Sequence, residues 1–317
     1  MVRFTVLASG SRGNATVVTG GRTRILVDCG LSCRELFRRM KLADETPETL
    51  DAILISHEHP DHVGGVAVTA RKLNIPVYFT EGTHRAWMRW LSPRRQMSYA
   101  QWLEQMRKQA AERQAEAAGE EGEPDESDLA LDTSVEAAVL AEPAPAKDPT
   151  WLPAVEFFTA GEPFEIGDIQ ISPFTTPHDA ADPVGFVFGS EGVRMGFVTD
   201  LGYISPNVKA QLQDLDLLLL ESNHDLEMLK DGPYPWAVKQ RVLSRVGHLS
   251  NEAAAGFLED GYDGQAAYVI LAHLSESNNL PELARVTAER ALNGRASLMA
   301  NRLLLAAQHE PLSSLYF

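Results

Sequence analysis

At 317 residues, with 44% hydrophobic and 23% charged side chains, the chain is long enough to bury a large core. No apolar run approaches the roughly 20 residues of a membrane span, and the opening MVRFTVLASG reads as a first strand, not a signal peptide. Two cysteines, Cys29 and Cys33, exclude a disulfide framework, and the net charge of −16 weighs against a simple nucleic-acid-binding surface.

Strands are expected over Val2–Ala8, Ala15–Val18 and Arg24–Val27. A helix follows over Ser32–Met40, where Leu36, Phe37 and Met40 lie near helical spacing. Ala52–Ser56 reads as a short buried strand, Val63–Leu73 as a helix and Pro76–Thr80 as a strand. Such alternation indicates an α/β domain. The pattern breaks over 94–152. Between Gln96 and Thr150 thirteen Asp/Glu stand against four Lys/Arg, so this stretch carries much of the acidity. Tyr99–Ala118 looks helical, Gly119–Asp128 is acidic with Gly and Pro, and Ala137–Pro149 is rich in Ala and Pro. A composition that buries so little reads as an insertion into one domain spanning 1–317, either a mobile helical arm or a small subdomain. Trp87, Trp90 and Trp102 near its start are candidates to pack on the main domain or on a partner. Strands resume over Val155–Phe158, Phe164–Ile166, Ile169–Phe174, Gly185–Gly189, Arg194–Thr199 and Leu215–Leu220. Helices are expected over Asn251–Glu259, with Ser250 or Asn251 as N-cap, and over Pro281–Leu292.

Chemistry concentrates in His57-Glu58-His59-Pro60-Asp61-His62, directly after the apolar run Ala52–Ser56. Three of the chain's nine histidines sit there. Extended backbone sends His57 and His59 to the same side and Glu58 to the other. A turn or helix start after Pro60 can return Asp61 and His62 to the same point. Imidazole and carboxylate suit zinc, and also manganese or iron. By contrast, Cys29 and Cys33 lack a second cysteine pair and read as buried thiols.

The hexamer is the H-x-H-x-D-H pattern of the metallo-β-lactamase superfamily, which the chain resembles along most of its length. Ser9–Asn14 follows the first strand, and Ile25–Gly30 resembles the strand that ends in Asp. Thr176-Pro177-His178-Asp179, Val198–Gly202 and Leu271–Ser275 then follow in the family's order. The segments LASGSRGN, ESNHDLEML, GPYPWAVKQR, GHLSNEAA and AHLSESNN are similar to the YycJ (WalJ) branch. This resemblance implies an αββα sandwich, with two facing mixed sheets flanked by helices and the metal site at a sheet edge. It also implies two divalent ions, zinc first and manganese second. His57, His59 and His178 would bind one, and Asp61, His62 and His273 the other, with Asp200 bridging. Read alone, His178 is a loop histidine, Asp200 a helix cap and His273 a core histidine. Asp28 is expected behind the ligands, holding a histidine or the hexamer loop.

A hydroxide between the metals is the expected nucleophile, because metal binding lowers the pKa of water. Asp61, Glu221 and His248 are the catalytic candidates. Glu221 and Gly247-His248-Leu249-Ser250 are similar to ribonuclease Z, whose Glu–His pair is thought to assist the leaving oxygen, although Asn251 stands where that family has threonine. His248 could equally be a cap histidine at a helix start. No exosite arm is evident, so a tRNA substrate is not carried over. Ser11, Asn14, Ser250 and Ser275 are candidates to bind substrate, with a hairpin turn as the plainer reading of Ser9–Asn14. Tyr234, Pro235 and Trp236 suit either base stacking or a core. Lys239, Arg241 and Arg245 are candidates for the phosphate backbone.

The YycJ resemblance implies a metal-dependent phosphodiesterase, foremost a DNA exonuclease, with DNA ahead of RNA and a repair protein as a further partner. The alternative is a small-molecule phosphodiesterase or thioester hydrolase of the same fold. A cytoplasmic location is expected, and nothing in the sequence sets an oligomeric state.

Overall fold

Leu217-Leu218-Leu219-Leu220 shows how the layers are built. In the computed structural model, which describes residues 1–92, 148–292 and 302–317, Leu217 and Leu219 enter one hydrophobic cluster and Leu218 and Leu220 another. Successive side chains of a strand point to opposite faces, so a strand apolar at every position is covered on both sides. Ile25, Val27, Ala52 and Leu54 face the first cluster as well, whereas Leu26 and Ile53 face a third.

The first sheet contains β1 (Arg3–Ala8), β2 (Ala15–Gly20), β3 (Thr23–Val27), β4 (Ala52–Leu54), β5 (Val77–Phe79) and β6 (Val155–Phe157). The second contains β7 (Phe164–Ile166), β8 (Ile169–Thr175), β9 (Val184–Ser190), β10 (Val193–Val198), β11 (Leu217–Glu221), β12 (Tyr268–Ala272) and β13 (Arg302–Leu305). The short β14 (Leu315–Tyr316) returns to pair with β1. Strand orders are β14-β1-β2-β3-β4-β5-β6 and β13-β12-β11-β10-β9-β8-β7. Each sheet is antiparallel at one end, through β1–β3 or β7–β10, and parallel at the other, through β3–β6 or β10–β13. Both sheets contribute to the shared inner cluster, through Phe4, Ile25 and Leu54 on one side and Phe186, Phe188 and Leu219 on the other. They therefore face each other.

Helices cover the outer faces. Leu36 and Met40 of α1 (Cys33–Leu42) pack on the first sheet with Val66 and Ala70, which belong to the helix α3 (Val66–Leu73). Ala254 and Leu258 of α8 (Asn251–Asp260), and Ala284 and Ala288 of α9 (Pro281–Leu292), cover the second sheet. The remaining α-helices among the described residues are α2 (Pro60–Val63), α4 (Glu81–Leu91), α5 (Pro206–Gln211), α6 (Leu226–Asp231) and α7 (Trp236–Val242). The result is the four-layered αββα arrangement.

Met1–Leu91 and Pro149–Phe317 form one compact unit and Ser92–Asp148 another. The helix expected over 99–118, and the acidic and Pro-rich stretches beyond it, lie outside the described residues, as does Trp102. Leu152, at the end of the stretch read as an insertion, is buried in the core of the first sheet's helical layer. Trp87 is also buried, whereas Trp90 is 53% exposed. No helix among the described residues is long and apolar enough to cross a membrane. Cys29 and Cys33 are free and buried, and burial raises the Cys29 thiol to a pKa of about 12.

The single helix expected over Val63–Leu73 is two helices, α2 and α3, separated at Gly64-Gly65. The break lets the chain press against the loop after β3. The Gly65 amide donates to the Cys29 carbonyl at 2.7 Å, and a Cβ on Gly65 would lie 1.9 Å from the Leu31 carbonyl oxygen. Gly30 is as restricted, since a Cβ there would lie 1.6 Å from the backbone oxygen of Asp61. Both clashes are with backbone, which cannot rotate aside. Gly30→Ala should therefore displace the Asp61 loop and destabilise the fold by at least about 3 kcal/mol. Thermal unfolding and metal content of the variant check this; an unchanged melting temperature with full metal content would contradict it.

Candidate metal centre

The strand ends supply the site. Asp28 follows β3, His57 follows β4, Asp200 follows β10, Glu221 ends β11 and His273 follows β12. All five leave the carboxyl ends of parallel strands, where open α/β sheets commonly hold their ligands. Three of them turn sharply there. Asp28, Asp200 and His273 adopt left-handed backbone with φ of 58°, 58° and 56°. Such conformations are strained for residues with a Cβ and gather at functional sites.

Two clusters of ligand-type atoms result. His57, His59 and His178 form one, and Asp61, His62 and His273 another, with the ligand atoms of each within 4.8 Å of one another. In the first, His59 Nδ1 lies 3.1 Å from His57 Nε2 and 3.2 Å from His178 Nε2. Three imidazole nitrogens aimed at one point cannot all be satisfied by shared protons. In the second, Asp61 Oδ2 lies 3.4 Å from His273 Nε2 and 3.5 Å from His62 Nε2. Asp200 stands between the two, with Oδ2 3.3 Å from His62 Nε2 and Oδ1 3.9 Å from His178 Nε2. Asp200 Oδ2 is buried and accepts no hydrogen bond. A buried carboxylate oxygen without a hydrogen-bond partner is costly, and this donor set fits a pair of divalent cations.

The histidines are aimed from behind. Their outer nitrogens meet acceptors: His62 Nδ1 lies 2.8 Å from Asp28 Oδ2, His57 Nδ1 3.0 Å from Ser56 Oγ, His178 Nδ1 3.1 Å from the Gly247 carbonyl, and His273 Nδ1 2.8 Å from Glu221 Oε1. Each contact leaves Nε2 directed inward. Charge follows the same geometry. Burial, reinforced by neighbouring His62, holds His57 well below the usual imidazole range. Burial opposes the charged form of His62 too, but Asp28, Asp200 and Asp61 outweigh it and raise its pKa well above that range.

Glu221 holds two imidazoles at once. Its Oε1 is 2.9 Å from His248 Nδ1 as well as 2.8 Å from His273 Nδ1, and Oε2 accepts the amides of Leu201 and Leu249. Against its complete burial, the charge of His248 and the bonds from His248 and His273 lower its pKa to about 2. Burial disfavours protonated His248, but Glu221 overcomes this and raises its pKa.

These residues open into a cavity of ≈ 360 Å³, lined by Asp61, Asp200, His248 and His273 together with Ser11 and Ser275. Tyr234 and Val238, Arg241 and Val242 of α7 line it as well. Asn14 and Ser250 do not line the cavity. Asn14 is buried in the hairpin turn, where Nδ2 contacts His62 Nε2 at 2.9 Å and donates to Asp61 Oδ2 at 3.1 Å. Ser250 is the N-cap of α8 and accepts the Ala253 amide at 3.1 Å. Glu58 turns away from the histidines and accepts the Ala181 amide.

Sequence reasoning missed Ser56, the second task of Glu221 and an asparagine network beneath the site. Ser222 Oγ donates to Asn251 Oδ1 at 2.7 Å, and Asn251 Nδ2 to Asn279 Oδ1 at 2.9 Å. Asn223 Nδ2 donates to the His273 carbonyl at 2.8 Å. The network ties the ESNHD, GHLSN and AHLSESNN segments together. The repeated Asn beside His or Ser in all three was the available signal.

Residues 8–236 match the Metallo-beta-lactamase superfamily. A Bacillus anthracis protein named Exodeoxyribonuclease YycJ is 32% identical over 92% of this chain and 89% of its own length. The chain belongs to the metallo-beta-lactamase superfamily, in its YycJ/WalJ family. Exodeoxyribonuclease WalJ of Streptococcus pneumoniae is also 32% identical, over 90% of this chain and 86% of that protein. In fold, the chain is similar to the metallo-beta-lactamase fold protein YhfI of Bacillus subtilis, with a TM-score of 0.60 and 14% identity over 98% of each chain. As a YycJ/WalJ-family member the chain is a metal-dependent hydrolase, and its fold carries a divalent-metal site of His and Asp side chains.

Ser56 tests how the site is held. Its hydroxyl contacts both Asp28 oxygens, at 3.0 and 2.9 Å, and the Nδ1 atoms of His57 and His62, at 3.0 and 3.3 Å. Ser56→Ala should weaken metal affinity by about 10–100-fold with little change in overall fold. Competition with a coloured chelator measures it; unaltered affinity would show that Ser56 does not aim the histidines.

Proposed function

We propose that the chain is a metal-dependent phosphodiesterase acting on nucleic acid, and specifically a DNA exonuclease. The observation that carries this reading is the shared carboxylate of Asp200 between two His/Asp clusters, beside a His248–Glu221 pair at the same cavity. The exodeoxyribonuclease names of the two relatives support the choice of DNA over RNA.

In this reading His57, His59 and His178 would hold one cation, Asp61, His62 and His273 the other, and Asp200 would serve both. Zinc is the first expectation and manganese the second, since imidazole and carboxylate donors suit either. When bound, such ions act as Lewis acids toward a phosphoryl oxygen and lower the pKa of water. The chain's own residues do the rest. Ser11 and Ser275 offer hydroxyls to the phosphate from the cavity wall. Glu221 engages His248 through Nδ1, which leaves Nε2 for the leaving oxygen, and the raised pKa keeps a proton available to donate.

We also read 94–152 as an insertion into a single domain, because it lies between α4 and β6, and β6 pairs in parallel with β5 on the near side of it in sequence. A cytoplasmic setting would keep the free Cys29 and Cys33 reduced. A repair protein fits the same reading as a further partner.

The test is degradation of end-labelled single-stranded and duplex DNA, and of RNA, with and without chelator. DNA should be shortened from an end, chelation should stop this, and added zinc or manganese should restore it. A chain with 94–147 replaced by a short Gly/Ser linker should still hydrolyse a nitrophenyl phosphodiester. Chelator-insensitive activity, or none on DNA, would refute the proposal.

His248→Ala should lower turnover on DNA about 10²–10⁴-fold while metal content is retained. The loss should shrink for a nitrophenyl diester, whose leaving group departs without a proton. An equal loss on both substrates would remove His248 from leaving-group assistance.

A further inference from the structure

Three cationic residues in and after α7 are candidates for the phosphate backbone, and the structure separates them. Lys239 is 9% exposed, and its ammonium donates to the Lys230 carbonyl. Arg245 lies over the Tyr203 ring, 4.3 Å from its centroid. Arg241 differs, because it is the one Lys or Arg that lines the cavity among the described residues.

Its guanidinium is held in place. Nε and Nη2 both donate to the Asp179 carboxylate, the latter at 3.1 Å. One edge of the group is thereby fixed, and Nη1 is left for a second acceptor. Asp179 follows His178, so the cation is fixed relative to the first histidine cluster. A purely structural tie explains little. The Arg241 side chain is 56% exposed, and exposed ion pairs contribute little to stability. The loop around His178 is already held by backbone: the Asp179 amide donates to the Val246 carbonyl at 3.0 Å, and His178 Nδ1 meets the Gly247 carbonyl.

Electrostatics gives the cation a task. The same cavity is lined by Asp61 and Asp200, and the chain as a whole carries a charge of −16. Cations bound among the histidines would attend to the phosphate being cleaved. A nucleic-acid strand brings a further charge with every nucleotide, and those neighbouring phosphates meet the walls of the cavity. A planar guanidinium with a free edge is suited to a phosphate, and its prior orientation reduces the entropy lost on binding.

We propose that Arg241, oriented by Asp179, receives the phosphate adjacent to the one cleaved and so makes the site select an oligonucleotide over an isolated phosphodiester. The proposal rests on the phosphodiesterase reading above. Serine hydroxyls at the cavity serve any phosphodiester, whereas Arg241 reads the presence of a second phosphate.

The experiment compares wild type, Arg241→Gln and Arg241→Lys, as metal-loaded full-length proteins, on an oligodeoxynucleotide and on bis(p-nitrophenyl) phosphate. Metal content and melting temperature are measured in parallel. For Arg241→Gln, kcat/KM on the oligonucleotide should fall about tenfold or more, chiefly through KM, and by a clearly larger factor than on the small diester. The slope of log kcat/KM against log salt should become shallower by roughly 0.7, as expected when one single-strand phosphate contact is lost. Arg241→Lys should keep the wild-type salt slope with an intermediate KM. Equal losses on both substrates, an unchanged salt slope, or a loss that tracks falling metal content or melting temperature would overturn the assignment. Wild-type inactivity on both substrates would refute the phosphodiesterase reading and this inference with it.

Discussion

A buried carboxylate oxygen without a hydrogen-bond partner dominates this structure. Asp200 is 3% exposed, and its Oδ2 accepts nothing, with four imidazoles drawn around the side chain. A negative charge in that position is tolerable only if positive charge accompanies it. Protonated His62 and His273 would supply some, since Asp28, Asp200, Asp61 and Glu221 outweigh the burial that opposes their charged forms and raise both pKa values. Divalent cations would supply more, and would compete with those protons for the same nitrogens.

The rest of the fold keeps that arrangement from relaxing. Parallel strands from both sheets deliver their ends to one place, and three of the delivered residues sit in left-handed backbone. Four of the histidines that point inward, His57, His62, His178 and His273, are held from outside, by Ser56, Asp28, Gly247 and Glu221. Glu221 matters most here, because it orients His273 and His248 together. The proposed leaving-group residue and a proposed metal ligand therefore share one support, and a change at Glu221 is felt by both.

Much of this was legible in the sequence because it depends on local order. Short apolar runs bounded by turn residues placed the strands, and the spacing of His57, His59, Asp61 and His62 places them at one strand end. His178, Asp200 and His273 needed the family resemblance, since each alone is an ordinary loop, cap or core residue. What escaped depends on contacts distant in sequence. Nothing near Gly30 says that the Asp61 carbonyl passes over it. Asn14 and Ser250 carry polar groups suited to substrate, yet one is consumed by the hairpin and the hexamer loop and the other by a helix N-terminus. Likewise, Lys239, Arg241 and Arg245 look equivalent in the chain, and only packing leaves Arg241 on the cavity.

In the proposed arrangement Asp200 joins two cation sites, formed by His57, His59 and His178 and by Asp61, His62 and His273. Anomalous diffraction from crystals grown with zinc or manganese, recorded on both sides of the metal's absorption edge, tests it most directly. Two peaks per chain, each within one cluster and both in contact with Asp200, are expected. A single peak, or two peaks neither of which touches Asp200, would contradict the account.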